Sequence, residues 1–111
     1  MTLEQLRNFG CNVDEGLQRC VNNESFYLML VNKLINSTDL SKLGNALESN
    51  DLEIAFKEAH SLKGTYGNLS ITPIYNILVE MVEPLRNKVE MDYTPNYQKL
   101  VELFNKLKSL Q

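Results

Sequence analysis

The stretch LEIAFKEAHSLKGTYGNL, residues 52–69, holds the helical pattern on which the fold depends. On a helical wheel of about 100° per residue, six of its apolar side chains fall within one arc of about 100°. These side chains are Leu52, Ala55, Ala59, Leu62, Tyr66 and Leu69. A stripe of this kind is typical of a helix that packs one face against a protein core. Asp51 stands where a capping residue is preferred, so we expect the helix to begin directly after it.

The segments on either side carry helical rather than alternating periodicity, so no β-strand is expected. Six helical segments are predicted, over Leu3 to Phe9, Asp14 to Cys20, Glu24 to about Asn36 with a continuation from Leu40 to a stop at Asn50, Asp51 to Asn68, and the regions that begin at Thr72-Pro73 and Thr94-Pro95. The polar run at 36–39 is either a kink in the third segment or a break and restart. Gly10 is expected to end the first segment, whereas Asp14 and Asn23 are candidate caps for the second and third. Pro84 lies inside the fifth segment and is expected to bend it.

The order of these segments favours an all-α fold. Four amphipathic segments with short connections predict an antiparallel four-helix bundle, and the two short N-terminal helices are expected to close one end of it. A chain of 111 residues with 43% apolar residues fits a single core, so we expect one domain over residues 1–111.

Composition and charge exclude several classes of function. A net charge of −3 disfavours nucleic acid as a partner, because phosphate backbones attract clustered basic residues. The longest apolar run, Phe26 to Val31, is far shorter than the roughly 20 residues that span a bilayer. No membrane association and no secretion signal are expected, and the predicted location is the cytoplasm. Cys11 and Cys20 match no metal or redox spacing, so we expect two structural thiols.

The only histidine of the chain, His60, lies on a second arc of the same helix. That arc is centred about 120° from the apolar stripe, so we expect it to be exposed. It also holds Lys63, Gly64 and Gly67, and Phe56 lies one turn before His60. A glycine inside a helix costs about 1 kcal/mol relative to alanine, so two glycines on an exposed face indicate that another molecule must come close to the backbone. The pattern suits a histidine that carries a phosphoryl group between proteins, or else an incidental surface histidine beside a solvated lysine and two helix-end glycines.

The run AHSLKGTYGNLS, residues 59–70, resembles the signature of histidine-containing phosphotransfer (HPt) domains of multistep two-component signalling. Upstream, VDEGLQRCVNNESFYLMLVNKLI (13–35) resembles the N-terminal pattern of stand-alone bacterial members, and ALESNDLEIAFKEAH (46–60) resembles their approach to the histidine. MVEPLR (81–86) is similar to a common ending of the next helix. The resemblance covers roughly residues 10 to 108 and implies a four-helix bundle with an exposed histidine midway along one helix.

The resemblance also implies roles for the residues around the histidine. His60 would accept a phosphoryl group at Nε2, which must be unprotonated to attack. Lys63 would stabilise charge on the phosphoryl oxygens, and Gly64 and Gly67 would let a receiver domain come close. Arg86 matches a position that is basic in some relatives, and either assists Lys63 or is a plain surface residue.

An apolar patch is expected around the histidine. Phe56, Val79 and Val82 would form it for docking, and peripheral core packing is the alternative for all three. In many relatives the residue that matches Val82 is a glutamine or glutamate that orients the imidazole. Valine cannot do so, which leaves water, a backbone carbonyl or no partner to hold the ring.

The partners implied by the resemblance are receiver domains of response regulators or hybrid histidine kinases. The receiver would supply the acidic pocket, Mg²⁺ and the phosphorylated aspartate, so no cofactor and no metal are expected on this chain. A monomer is expected, because a dimer on the same face would block the partner. The leading hypothesis is a phosphorelay intermediate without kinase or hydrolase activity of its own, and a stand-alone protein is favoured over a domain of a hybrid kinase. The alternatives are a scaffold that binds receivers without phosphotransfer, and a hydrolase that uses His60 as a base.

Overall fold

The computed structural model describes residues 1–111, and they form seven α-helices and no β-strand. The helices are α1 (Leu3–Phe9), α2 (Val13–Arg19), α3 (Glu24–Ser37), α4 (Ser41–Glu48), α5 (Leu52–Asn68), α6 (Thr72–Arg86) and α7 (Thr94–Lys108). The all-α prediction is confirmed, and the polar run at 36–39 is a break between two helices rather than a kink. None of the helices combines the length and apolar character that crossing a membrane requires.

Capping side chains set several of the helix starts. Asn23 and Asp51 accept hydrogen bonds from backbone N–H groups in the first turns of α3 and α5, at 3.0 and 3.2 Å, as predicted. The prediction of Asp14 as the cap of α2 is wrong, because that helix already begins at Val13. Asn12 takes the capping position instead and accepts a backbone hydrogen bond at 3.3 Å.

The two Thr-Pro pairs start the last two helices, as predicted. Thr72 and Thr94 are the first helical residues, and each is followed by a proline at a position where no N–H donor is needed. Pro84 lies within α6, which continues to Arg86. The bend expected at Pro84 stays a prediction.

The long helices pack side by side as a bundle. α5 packs most extensively against α6, and it also contacts α4, while α6 contacts α7. Three residues separate α5 from α6, and so short a connection makes neighbouring helices antiparallel. The hydroxyl groups of Thr38 and Tyr66 lie 2.8 Å apart, and the Tyr97 hydroxyl donates to the Leu40 carbonyl oxygen at 3.0 Å. These bonds hold the junction of α3 and α4 between α5 and α7, which closes the bundle.

The N-terminal part of the chain is hydrogen-bonded to the C-terminal end of α5. The Arg19 guanidinium donates to the carbonyl oxygens of Gly67 and Asn68 at 2.7 and 3.2 Å. The Tyr27 hydroxyl donates to the carbonyl oxygen of Leu69 at 2.7 Å. The last carbonyls of a helix have no partner within the helix, and a cation there is also favoured by the helix dipole. The helix that carries His60 is therefore held at its C-terminal end by side chains of α2 and α3.

Both cysteines are free and buried, as predicted for structural thiols. Cys11 is 7% exposed and Cys20 is 3% exposed. Burial raises the pKa of the Cys11 thiol to about 12, because a thiolate would lose its hydration there.

Candidate functional site

His60 lies midway along α5 with its side chain exposed to solvent. The residue before it, Ala59, is fully buried and belongs to the core. Because successive residues of a helix point about 100° apart, a core position is followed directly by one on the flank. The expected exposure of His60 is therefore present in the structure.

The imidazole ring of His60 stacks on the ring of Phe56, one turn earlier in α5. The two ring centroids are 5.4 Å apart and the ring planes differ by 18°. A near-parallel arrangement at this distance is one that aromatic rings favour. The spacing of four residues places the two side chains next to each other on one helical face. Phe56 therefore contacts the imidazole, although no side chain was predicted from the sequence to hold this ring.

Arg86 brings a second helix into this arrangement. Its guanidinium carbon lies 4.9 Å from the centroid of the Phe56 ring, within the range of a cation–π interaction. Its Nε also donates to the Glu83 carboxylate at 3.1 Å. We call Arg86, Phe56 and His60 the stacked cluster. The expected assistance of Arg86 to Lys63 stays a prediction, since Phe56 and Glu83 are the contacts that the structure gives to this guanidinium.

Lys63 lies one turn beyond His60 and is half-buried. It lines a groove of about 480 Å³ whose walls come from α2, α5 and α6 and are mostly polar. Gly64, Arg19 and Asn76 are among the other residues that line the groove. Lys63 therefore lies one turn from the exposed imidazole and also lines a polar depression in the surface.

The two glycines of the site have different surroundings. No atom lies within 4 Å of the position that a β-carbon on Gly64 would take. A β-carbon on Gly67 would instead lie 2.8 Å from Cδ1 and Cε1 of Tyr75. Open space was expected at both positions. The expectation is met at Gly64 and is wrong at Gly67, because a side chain of α6 fills that space.

The expected apolar patch is only partly present. Val79 is 41% exposed and Phe56 is half-buried, but Val82 is 1% exposed and belongs to the core. Tyr75 and Arg86 both reach α5, and Val82 lies within about 40° of each of them on the wheel of α6. Val82 therefore lies in the interface between α5 and α6. The prediction of Val82 as an exposed docking residue is wrong, and the alternative of core packing applies to it.

Several contacts at the site were not predicted from the sequence. Tyr75 covers Gly67, Glu83 holds Arg86, and Arg19 binds the end of α5. The Arg19 contact spans 48 residues, and no local pattern reports a contact of that kind. The stack of Phe56 on His60 had a signal, since aromatic residues four apart on a helix are neighbours.

Comparison with known proteins yields one match. A family model described as "Hpt domain" matches residues 36–109, roughly two thirds of the chain. The matched region contains α4 to α7, and with them every residue of the stacked cluster, whereas α1, α2 and nearly all of α3 precede it. No curated protein and no solved structure matches the chain significantly.

Proposed function

The chain belongs to the Hpt domain family, and we propose that His60 is the residue on which it carries a phosphoryl group. Hpt domains take part in phosphorelays as carriers of phosphoryl groups on histidine, and they interact with receiver domains. They are neither kinases nor hydrolases. His60 is the only histidine of the chain and lies inside the matched region. The exposure of this imidazole on α5 is the observation that carries the proposal.

The proposed reaction moves a phosphoryl group between an aspartate of a receiver and His60. The lone pair of Nε2 attacks phosphorus in line with the bond to the aspartate oxygen. A nitrogen–phosphorus bond forms as the phosphorus–oxygen bond breaks, and the aspartate leaves as a carboxylate. The reverse reaction passes the group to the aspartate of a second receiver. Mg²⁺ and the acidic pocket belong to the receiver in this scheme.

Lys63 is proposed to stabilise the transferring group. It lies three residues after His60, so the two side chains project from neighbouring positions of one helical face. A fixed positive charge beside the phosphoryl oxygens favours the transition state, in which negative charge spreads over those oxygens. Lys63 is half-buried, which restricts where its ammonium group can go.

The receiver is proposed to approach over Gly64. Free space above this residue permits close contact with the backbone of α5, and the adjacent polar groove can take a loop of the partner. Val79, which is exposed, and Phe56, which is half-buried, are proposed to offer a small apolar area for docking. An area of this size suits the small, transient interface that a relay of phosphoryl groups requires.

We further propose that all 111 residues form one HPt unit. The core is a single cluster of 23 buried residues that extends from Leu6 to Leu107. Backbone and side-chain bonds from the N-terminal helices to the end of α5 support the same extent.

The test is phosphorylation of the full chain by a phosphorylated receiver domain. We expect acid-labile, base-stable phosphate on the wild-type protein and none on His60→Gln, with circular dichroism spectra that are alike because His60 is exposed. Retention of the label in the His60→Gln variant would reject the assignment.

One observation favours a second function, a scaffold that binds receivers without phosphotransfer. Val82 is apolar and buried, so it offers the imidazole no hydrogen bond. Measurable binding of an unphosphorylated receiver, together with no acid-labile phosphate after incubation with a phosphorylated one, would favour the scaffold.

A further inference from the structure

We propose that Phe56 and Arg86 are positioning residues, which hold the imidazole of His60 in the orientation that phosphoryl transfer requires. The inference rests on the proposed function, since it concerns the same histidine. It assigns to Phe56 a role in the transfer step, whereas a residue of a docking patch would act on partner binding alone.

The first step of the argument is the geometry of the stack. An exposed histidine on a helix is free to rotate about χ1 and χ2 unless a neighbour restricts it. The Phe56 ring lies 5.4 Å away at an angle of 18°, so rotation of the imidazole out of this plane breaks the contact. Stacked aromatic pairs are worth about 0.5–1.5 kcal/mol, enough to favour one rotamer by a factor of about 2 to 10.

The second step is that Phe56 is itself held from the adjacent helix. The Arg86 guanidinium lies 4.9 Å from the centre of the Phe56 ring. Its Nε donates to Glu83 one turn earlier in α6, at 3.1 Å. An arginine with both contacts keeps its planar group in one place, because the aromatic ring and the carboxylate restrict the same side-chain torsions. The orientation of His60 is thus tied to α6 as well as to α5.

The third step is that a stack leaves the chemistry of the ring free. Val82, buried between α5 and α6, cannot donate or accept a hydrogen bond. A hydrogen bond would hold the imidazole through one of its nitrogens, whereas Phe56 holds it through its face. The ring plane is fixed in this way without using the nitrogen lone pair that attacks phosphorus.

The test compares three variants of the full chain. Phe56→Leu removes the ring and keeps an apolar side chain, and Phe56→Tyr keeps the ring. Phe26→Leu is the matched control, since Phe26 is an exposed phenylalanine of α3 at 42% exposure. The rate of transfer from a phosphorylated receiver is measured over a range of receiver concentrations, so that the saturating rate and the half-saturating concentration are obtained separately.

We expect the saturating rate to fall about tenfold in Phe56→Leu, because misorientation of a reacting group slows the chemical step. Phe56→Tyr should restore it to within about twofold, and Phe26→Leu should leave it unchanged. Arg86→Gln should give a smaller loss than Phe56→Leu, and Arg86→Lys should recover part of it because a cation remains near the ring. A Phe56→Leu variant with a wild-type saturating rate and a higher half-saturating concentration would overturn the proposal, since that result describes docking alone.

A second readout is independent of transfer. In proton NMR spectra, the stacked Phe56 ring should shift the ring protons of His60 upfield, and Phe56→Leu should remove the shift while Phe56→Tyr retains it. Loss of the shift without loss of the saturating rate would overturn the positioning role. Failure of the wild-type protein to accept phosphate at all would instead overturn the proposed function, and the positioning role with it.

Discussion

The ring of Tyr75 covers Gly67 so closely that a β-carbon on the glycine would lie 2.8 Å from two of the ring carbons. Gly64, three residues earlier, faces open space. Gly67 is therefore a contact between α5 and α6, whereas Gly64 leaves room for another molecule. Although both glycines lie on the same exposed arc, they should respond to substitution in opposite ways.

The first prediction concerns stability at these two positions. Gly64→Ala should raise the free energy of unfolding by about 0.5–1 kcal/mol, because alanine is the better helix former and meets no obstacle. Gly67→Ala should lower it by about 1–2 kcal/mol, because the new methyl group displaces the Tyr75 ring. Urea denaturation of both variants measures the two changes.

A double-mutant cycle tests the cause of the loss at Gly67. In a Tyr75→Ala background, Gly67→Ala should no longer destabilise the protein, since the obstructing ring is absent. Equal losses with and without Tyr75 would contradict this explanation.

The second prediction concerns the charge beside the histidine. Lys63→Ala should lower the rate of phosphoryl transfer about 10- to 100-fold, because a cation that stabilises the transferring group is lost. Lys57→Ala is the control, since Lys57 lies on the same helix and pairs with Glu53 at the surface. A similar slowing of transfer in both variants would contradict the role of Lys63, because it would indicate a general effect of net charge.

The third prediction concerns the C-terminal end of α5. Arg19→Ala should lower the free energy of unfolding by about 1 kcal/mol, since two carbonyl oxygens lose a charged donor that is half exposed. Arg7 is a matched control with the same exposure and a surface ion pair to Asp14. Its replacement by alanine should change stability by less than about 0.5 kcal/mol. Thermal and urea unfolding measure the stability of both variants. Equal losses of stability would contradict the capping role.

The fourth prediction concerns alkaline pH. Burial raises the pKa of the Cys11 thiol from about 9 to about 12, so the unfolded chain loses this proton before the folded protein does. The stability due to the neutral thiol is complete below about pH 9 and is lost as pH rises toward 12.

Urea unfolding between pH 7 and 11 should therefore show a steeper loss of stability in wild type than in Cys11→Ala. Buried tyrosines such as Tyr27 and Tyr66 also have raised pKa values, and because burial is the largest cause in both, most of their contribution is common to the two proteins. Parallel pH profiles would exclude a contribution from the thiol.

Some features of this protein could be predicted from the local sequence pattern alone. The limits of α5, the caps at Asn23 and Asp51, and the exposure of His60 follow from residues within a turn or two of one another. Helical periodicity and capping act over that range, so a single sequence reports them.

Features that depend on the packing of two helices were harder to predict. Val82 and Gly67 both lie at the flank of a stripe, and only the position of the neighbouring helix decides whether a flank is covered. The α5–α6 contact buries Val82 and brings Tyr75 over Gly67. The helical wheel of a single helix does not show where a neighbouring helix lies. Both residues were therefore expected to be exposed to solvent.

The bonds from Arg19 and Tyr27 to the end of α5 have a practical consequence for anyone who shortens this chain. A fragment trimmed to the span of the family match would begin at residue 36 and would lose both donors. The carbonyl oxygens of Asn68 and Leu69 would then lose their side-chain donors, and that of Gly67 would keep only backbone donors such as the N–H of Ser70, at the end of the very helix that holds the histidine. We expect such a fragment to fray from that end, so the smallest piece that folds cooperatively is longer than the piece by which the family is recognised.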